Sequence, residues 1–131
     1  MIANAKKDDK YLSDDESVGL ATQIFVAGNE TTTSLISNLI WRLLTIGNLW
    51  HEFTEEKIDL DDAMNESLRF DPPLLGLFKT TSQDVNVGGT LIPANTKVMM
   101  HYGAANRDPE VFQNPNVFDV HRKGKKILTF S

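Results

Sequence analysis

The sequence predicts a mainly α fold with a small β-sheet, an α+β arrangement, on three observations. A long apolar stretch, Gly19 to Leu44, keeps helical spacing throughout. A second helical pattern, Asp59 to Phe70, is halted by Pro72-Pro73, because the residue before a proline avoids the helical region. Between Asp84 and Pro93, two short β-type runs flank Gly88-Gly89, as in a hairpin with a glycine turn. The 131 residues suffice for one domain with a modest core.

Taken in order, Met1 to Leu12 has no apolar period and is expected to form a loop. Ser13 opens the long helix, residues 13–46. Ser13 and Glu16 have capping-box spacing, and Asp14, Asp15 and Glu16 place negative charge in the first turn, where the helix dipole favours it. Leu20, Ile24, Ala27, Gly28, Thr31, Leu35, Leu39 and Leu43 follow steps of three and four along one face. Phe25, Val26, Ile36, Ile40 and Trp41 fill the other sides, so the helix is expected to be buried nearly all round. Gly47 with Asn48 ends it. At 1.5 Å per residue it would run ~50 Å, too long for a domain of this size to cover. Either it kinks near Gly28 or the chain is a piece of something larger.

Residues 48–70 carry two shorter helices. Asn48 to Lys57 is amphipathic through Leu49, Trp50 and Phe53; Asp59 to Phe70 has an acidic start and apolar Leu60, Ala63, Met64 and Leu68. Residues 74–102 form the β-region: Leu74 to Thr80 extended, then the hairpin, then a strand over Thr96 to Tyr102. From 103 to 131 the chain winds without regular structure, punctuated by Asp108-Pro109 and Asn114-Pro115-Asn116, and Leu128 to Ser131 begins another apolar patch.

Composition narrows the functions. The net charge of -5, and the lack of any basic run with interleaved aromatics, argue against nucleic-acid binding. The cluster His121 to Lys126 reads as a solvated turn. There is no cysteine, hence no disulfide and no thiolate chemistry within these residues. Met1 to Lys10 is too polar for a signal peptide. Asn29, Glu30 and the threonines interrupt the longest apolar stretch, so no membrane span is expected.

Chemistry is concentrated in two places. The first is Gly28-Asn29-Glu30-Thr31-Thr32-Thr33, in the middle of the long helix. Glycine costs about 1 kcal/mol there relative to alanine, threonine is stiff and bonds back to earlier carbonyls, and a carboxylate among apolar turns needs a partner, water or a shifted pKa. Several local rules broken at one spot mark a functional site. The second is Glu66 and Arg69, three apart on one helical face. Alone, that spacing fits a surface ion pair. Its surroundings are Asn65-Glu66-Ser67-Leu68-Arg69-Phe70-Asp71-Pro72-Pro73, then Lys79, Ala105-Asn106-Arg107-Asp108-Pro109, Val111-Phe112, Asn114-Pro115, Val117-Phe118-Asp119 and Arg122. His51, His101 and His121 have no metal-ligand spacing and read as surface or packing residues, and no nucleophile elbow supports a Ser-His-Asp reading.

In this order, over residues 13 to 131, the motifs closely resemble the cytochrome P-450 family of heme-thiolate monooxygenases in its soluble prokaryotic form. The resemblance implies a partial P-450 domain: a heme-facing helix at 13–46, the Glu-x-x-Arg helix within 48–70, the β-region and the meander. It implies heme b, dioxygen, a small apolar organic substrate, a ferredoxin- or flavoprotein-type electron donor and a cytoplasmic protein. Ala27 and Gly28 would face the heme and leave room for dioxygen, while Glu30 and Thr31 would deliver protons, the hydroxyl donating a hydrogen bond. Glu66 and Arg69 would pair with Arg122 of the meander to fix the scaffold. Lys79 would stand where an arginine commonly meets a heme propionate, offering charge without a bidentate fork. Leu74, Leu75 and Leu77 would face substrate, with plain core packing as the alternative for each.

Two departures qualify the resemblance. The family's axial cysteine follows a segment like Leu128-Thr129-Phe130-Ser131, and this sequence contains none. The large helical portion that precedes the long helix in the family is likewise not among these residues. The chain is therefore expected to be an internal piece of a monooxygenase, inactive by itself and binding no heme stably. The alternative is a truncated, non-catalytic α+β remnant or binding module.

Overall fold

The computed structural model describes residues 5–7, 10–123 and 127–129. Parts of three expectations lie outside these residues: 1–4 and 8–9 of the opening loop, 124–126 of the basic cluster, and 130–131 of the last apolar patch. Residues 1–34 and 35–131 form two compact units.

In the first unit, the opening segment is not wholly loop. Strands β1 (Lys6–Lys7) and β2 (Lys10–Tyr11) pair antiparallel. The Lys6 ammonium lies 4.8 Å from the Tyr11 ring centroid, an attraction that favours this register. Helix α1 (Asp14–Thr45) starts in this unit. The capping box forms as its spacing requires: the Ser13 backbone N–H donates to Glu16 Oε2 at 2.9 Å, and the Glu16 N–H donates to Ser13 Oγ at 3.3 Å. The helix continues through Gly28 without interruption.

Near-complete burial of α1 is the main correction. Only Leu39 and Leu43 are buried, while Phe25 is 71% exposed and Trp41 63%. Val18, Ile24, Val26, Ile36, Ile40 and Leu44 are also exposed. Apolar periodicity reports that a face is made to be covered, not which residues cover it, and the described residues leave most of this one uncovered.

In the second unit, Gly47 takes φ +48° and ends α1. Helix α2 (Leu49–Thr54) and helix α3 (Leu60–Phe70) follow. Asp59 caps α3 by accepting from the Asp62 N–H at 3.1 Å. Replacing Asp59 by alanine is expected to destabilise the unit by about 1 kcal/mol, read as a lower urea midpoint at unchanged slope. The core consists of Leu39, Leu43, Ile58, Ala63, Phe70, Phe118 and Val120, with Ile46, Leu49, Phe53 and Met64 packed against it. It joins the last turns of α1, both shorter helices and the meander.

The β-region comprises separate two-stranded ladders. Strand β3 (Leu77–Thr80) pairs antiparallel with β6 (Lys97–Met100), and β4 (Val85–Val87) pairs with β5 (Thr90–Ile92) in the expected hairpin. Gly88 and Gly89 both take positive φ in its turn. Two expected strands are shorter than predicted. Leu74–Gly76 lies outside the ladder, with the Leu75 carbonyl accepting from the Gly103 N–H at 3.2 Å, and Tyr102 belongs to a short helix, α4 (Tyr102–Ala105), where His101 Nδ1 accepts from the Ala104 N–H. Gly76 is required by close approach: a Cβ there would lie 2.4 Å from the Met100 carbonyl oxygen. Beyond α4 the described residues run as turns and bends, as expected.

Candidate functional site

The densest polar site lies at the C-terminal half of α3. Glu66 and Arg69 are 3% and 1% exposed, so the surface-pair reading of their spacing is excluded. Three residues apart on α3, they meet as a bidentate pair, Nε to Oε2 at 2.8 Å and Nη2 to Oε1 at 2.7 Å. Arg69 then reaches into the meander. Nη1 donates to the carbonyls of Asn106 and Pro115, both at 2.9 Å, and Nη2 donates to that of Val117 at 3.0 Å. All five guanidinium N–H groups are thereby used.

Glu66 is equally occupied. It also accepts from Arg122 Nε at 3.2 Å and from the Asp119 N–H at 2.8 Å. Arg122 in turn donates to the carbonyls of Gln113, Asn114 and Val117. The predicted trio thus comes together, and it ties irregular backbone to a helix that has no sequence proximity to it. A buried ion pair is tolerable only when its remaining donors and acceptors are satisfied, and here they are.

Beside the trio lies a cluster that sequence reasoning missed. Arg42, near the end of α1, makes a bidentate contact with Asp71 at 2.7 and 3.0 Å. The hydrogen bond and charge of Asp71 raise the Arg42 pKa against a smaller opposing effect of burial. A raised folded-state value means that this contribution persists across the neutral range and is lost only in strong base. Arg42 and Arg107 also stand over the Phe70 ring, at 4.7 and 4.0 Å from its centroid, and Phe118 meets the same ring edge-on at 5.7 Å. Asp71 before Pro72, and a lone arginine among apolar positions of α1, are the signals that point to it.

The α1 site, in the first unit, is arranged differently. Thr31 Oγ1 donates to the Ala27 carbonyl at 2.6 Å. Its proton is therefore committed, and the oxygen offers only lone pairs. Glu30 is exposed. A Cβ on Gly28 would meet nothing within 4 Å, so packing among the described residues does not require glycine there.

The remaining predicted residues lie in the second unit. Lys79 is exposed on β3, opposite Val98. Leu74 is half-buried, whereas Leu75 and Leu77 are exposed. The histidines have ordinary surface surroundings: His51 lies 3.0 Å from Glu55, and His121 is 4.0 Å from Glu52.

A family model described as cytochrome P450 matches residues 60–126, just over half of the sequence. The chain belongs to the cytochrome P450 family. It is similar to the biotin biosynthesis cytochrome P450 of Bacillus subtilis, 33% identical over 130 residues that make up 99% of this chain and 33% of that protein. It is 36% identical over 119 residues to the beta-dihydromenaquinone-9 omega-hydroxylase of Mycobacterium tuberculosis, covering 91% of this chain and 24% of the relative. Among solved structures, CYP109E1 from Bacillus megaterium in complex with testosterone superposes with a TM-score of 0.85 at 36% identity, over 96% of this chain and 35% of that one. The chain spans about a third of the length of the first of these P450 relatives and a quarter of the second.

The family's heme can be tested against the residues present. The sequence has no cysteine, and among the described residues no group of three His, Cys, Asp or Glu side chains could hold a metal ion. With no cysteine, these residues contain no thiolate ligand for a heme iron. Among the described residues, no helix is long and apolar enough to cross a membrane.

Proposed function

We propose that the protein to which these residues belong is a heme-dependent monooxygenase, inserting one atom of dioxygen into an apolar organic substrate. The observation that carries this reading is Gly28-Asn29-Glu30-Thr31 in a P450 chain: a helix-weakening glycine that no local packing demands, directly before an acid and a threonine. The heme, when bound, supplies dioxygen activation.

The chain's own residues have simpler tasks. Glu30 carries a proton inward from water. Thr31 Oγ1, whose proton is held by Ala27, accepts a hydrogen bond from the water that brings this proton and orients it. Glu66, Arg69 and Arg122 hold the scaffold, and Lys79 offers a positive charge to a heme carboxylate. Leu74, Leu75 and Leu77 give an apolar surface to substrate. The whole chain, 1–131, is then one partial domain of a cytoplasmic enzyme served by a ferredoxin- or flavoprotein-type donor.

The test is oxygen accounting. Heme-loaded protein, given an electron donor, isotopically labelled dioxygen and testosterone or a long-chain fatty acid as probes, is expected to release product bearing one labelled atom. Failure of the heme-loaded, reduced protein to consume dioxygen with any probe would overturn the reading.

A further inference from the structure

We infer that Asn106 is a positioning residue: its buried carboxamide fixes the backbone of Leu128 against the Glu66–Arg69–Arg122 cluster. Asn106 is 0% exposed. Its Nδ2 donates to the Leu128 carbonyl at 2.7 Å, and its Oδ1 accepts from the Leu128 N–H at 2.8 Å. One side chain therefore meets both polar groups of one residue, much as a neighbouring strand would. The backbone carbonyl of Asn106 accepts from Arg69 Nη1 at 2.9 Å, so the same residue is itself anchored to the buried cluster.

Neither apolar burial at Leu128 nor a hydroxyl anchor at Thr129 accounts for the position of the Leu128 backbone. The Leu128 side chain is 40% exposed, so its burial does not fix the segment. Thr129 is 4% exposed, yet its hydroxyl has no partner among the described residues, so it contributes no polar anchor. Ile127 is half-buried and the Thr129 side chain buried, and the polar anchor that the described residues give this segment is the paired amide contact. A single rigid line then runs from α3, through Arg69 and Asn106, to Leu128. If the monooxygenase reading holds, Asn106 steadies the segment after which the resemblance places the iron ligand. Only this consequence rests on that reading; the pinning of Leu128 does not.

The test uses Asn106→Leu, close in shape but unable to pair, and Asn106→Asp, whose carboxyl can both donate and accept only when protonated. Arg69 is the charged group within hydrogen-bond reach of position 106 and favours the ionised form of that carboxyl. Amide-exchange protection at Leu128, corrected for the intrinsic pH dependence of exchange, is the readout. Asn106→Leu is expected to lower protection about tenfold or more at every pH. Asn106→Asp still accepts from the Leu128 N–H when ionised but then sets a carboxylate against the Leu128 carbonyl, so protection is expected to be partly lost at neutral pH and recovered as pH falls. Wild-type protection at Leu128 in Asn106→Leu, or protection in Asn106→Asp that does not rise on acidification, would overturn the inference.

In the holoenzyme, the thiolate-ligated fraction of the ferrous–CO form should follow the same pattern. An intact exchange result with no such form in the wild type would sink the monooxygenase reading and leave the positioning role standing.

Discussion

Arg69→Ala is expected to destabilise the second unit by about 3–5 kcal/mol, the range seen when one partner of a buried ion pair is removed. The loss is not of one contact. Glu66, 3% exposed, would keep only Arg122 and the Asp119 N–H, and the carbonyls of Asn106, Pro115 and Val117 would lose a donor together. Small domains are stable by only about 5–15 kcal/mol, so much of the margin would go. Urea unfolding followed by far-UV circular dichroism measures it. Arg69→Lys should recover only part, because a lysine has three donors and no planar fork for Glu66. In the holoenzyme both variants should lose heme before they change substrate choice. A midpoint within experimental error of wild type would show that the meander is held by something else.

The second large effect is expected at Thr31. Thr31→Ala should lower product formed per electron pair about tenfold or more and raise peroxide release correspondingly, since it removes the acceptor that orients the proton-carrying water, and positioned proton transfer typically contributes at least that much. Thr31→Ser keeps the hydroxyl and should retain most of the coupling. Thr31→Val keeps the shape without the oxygen and should behave as Thr31→Ala does. Thr31→Ala also removes the back-bond to Ala27, an exposed interaction, so the fold should be nearly unaffected. Peroxide release equal to wild type in Thr31→Ala would remove the proton-delivery role.

Some parts of this chain are legible in the sequence because their determinants are local. The capping box of α1 needs only Ser13 and Glu16, and the stop of α3 needs only Pro72. The hairpin needs its two glycines. Arg122 is identifiable only through resemblance, since no local rule links it to a helix more than fifty residues earlier. Asn106 stands within a motif, but the role of its side chain depends on where Leu128 passes, which periodicity does not encode. The same limit explains Tyr102: its aromatic, β-favouring character extends the expected strand, while the cap at His101 turns the chain into α4. The exposure of α1 is not legible, because helical amphipathicity carries no information about the partner that covers it.

One spectrum tests the central claim, that this is heme-monooxygenase scaffold whose iron ligand is not among its own residues. The ferrous–CO spectrum should be recorded for the complete heme-loaded enzyme and for the 131-residue chain supplied with heme. The account predicts the Soret band of thiolate ligation in the first and not in the second, which has no cysteine to provide it. That band in the 131-residue chain, or its absence from the complete enzyme, would contradict the account.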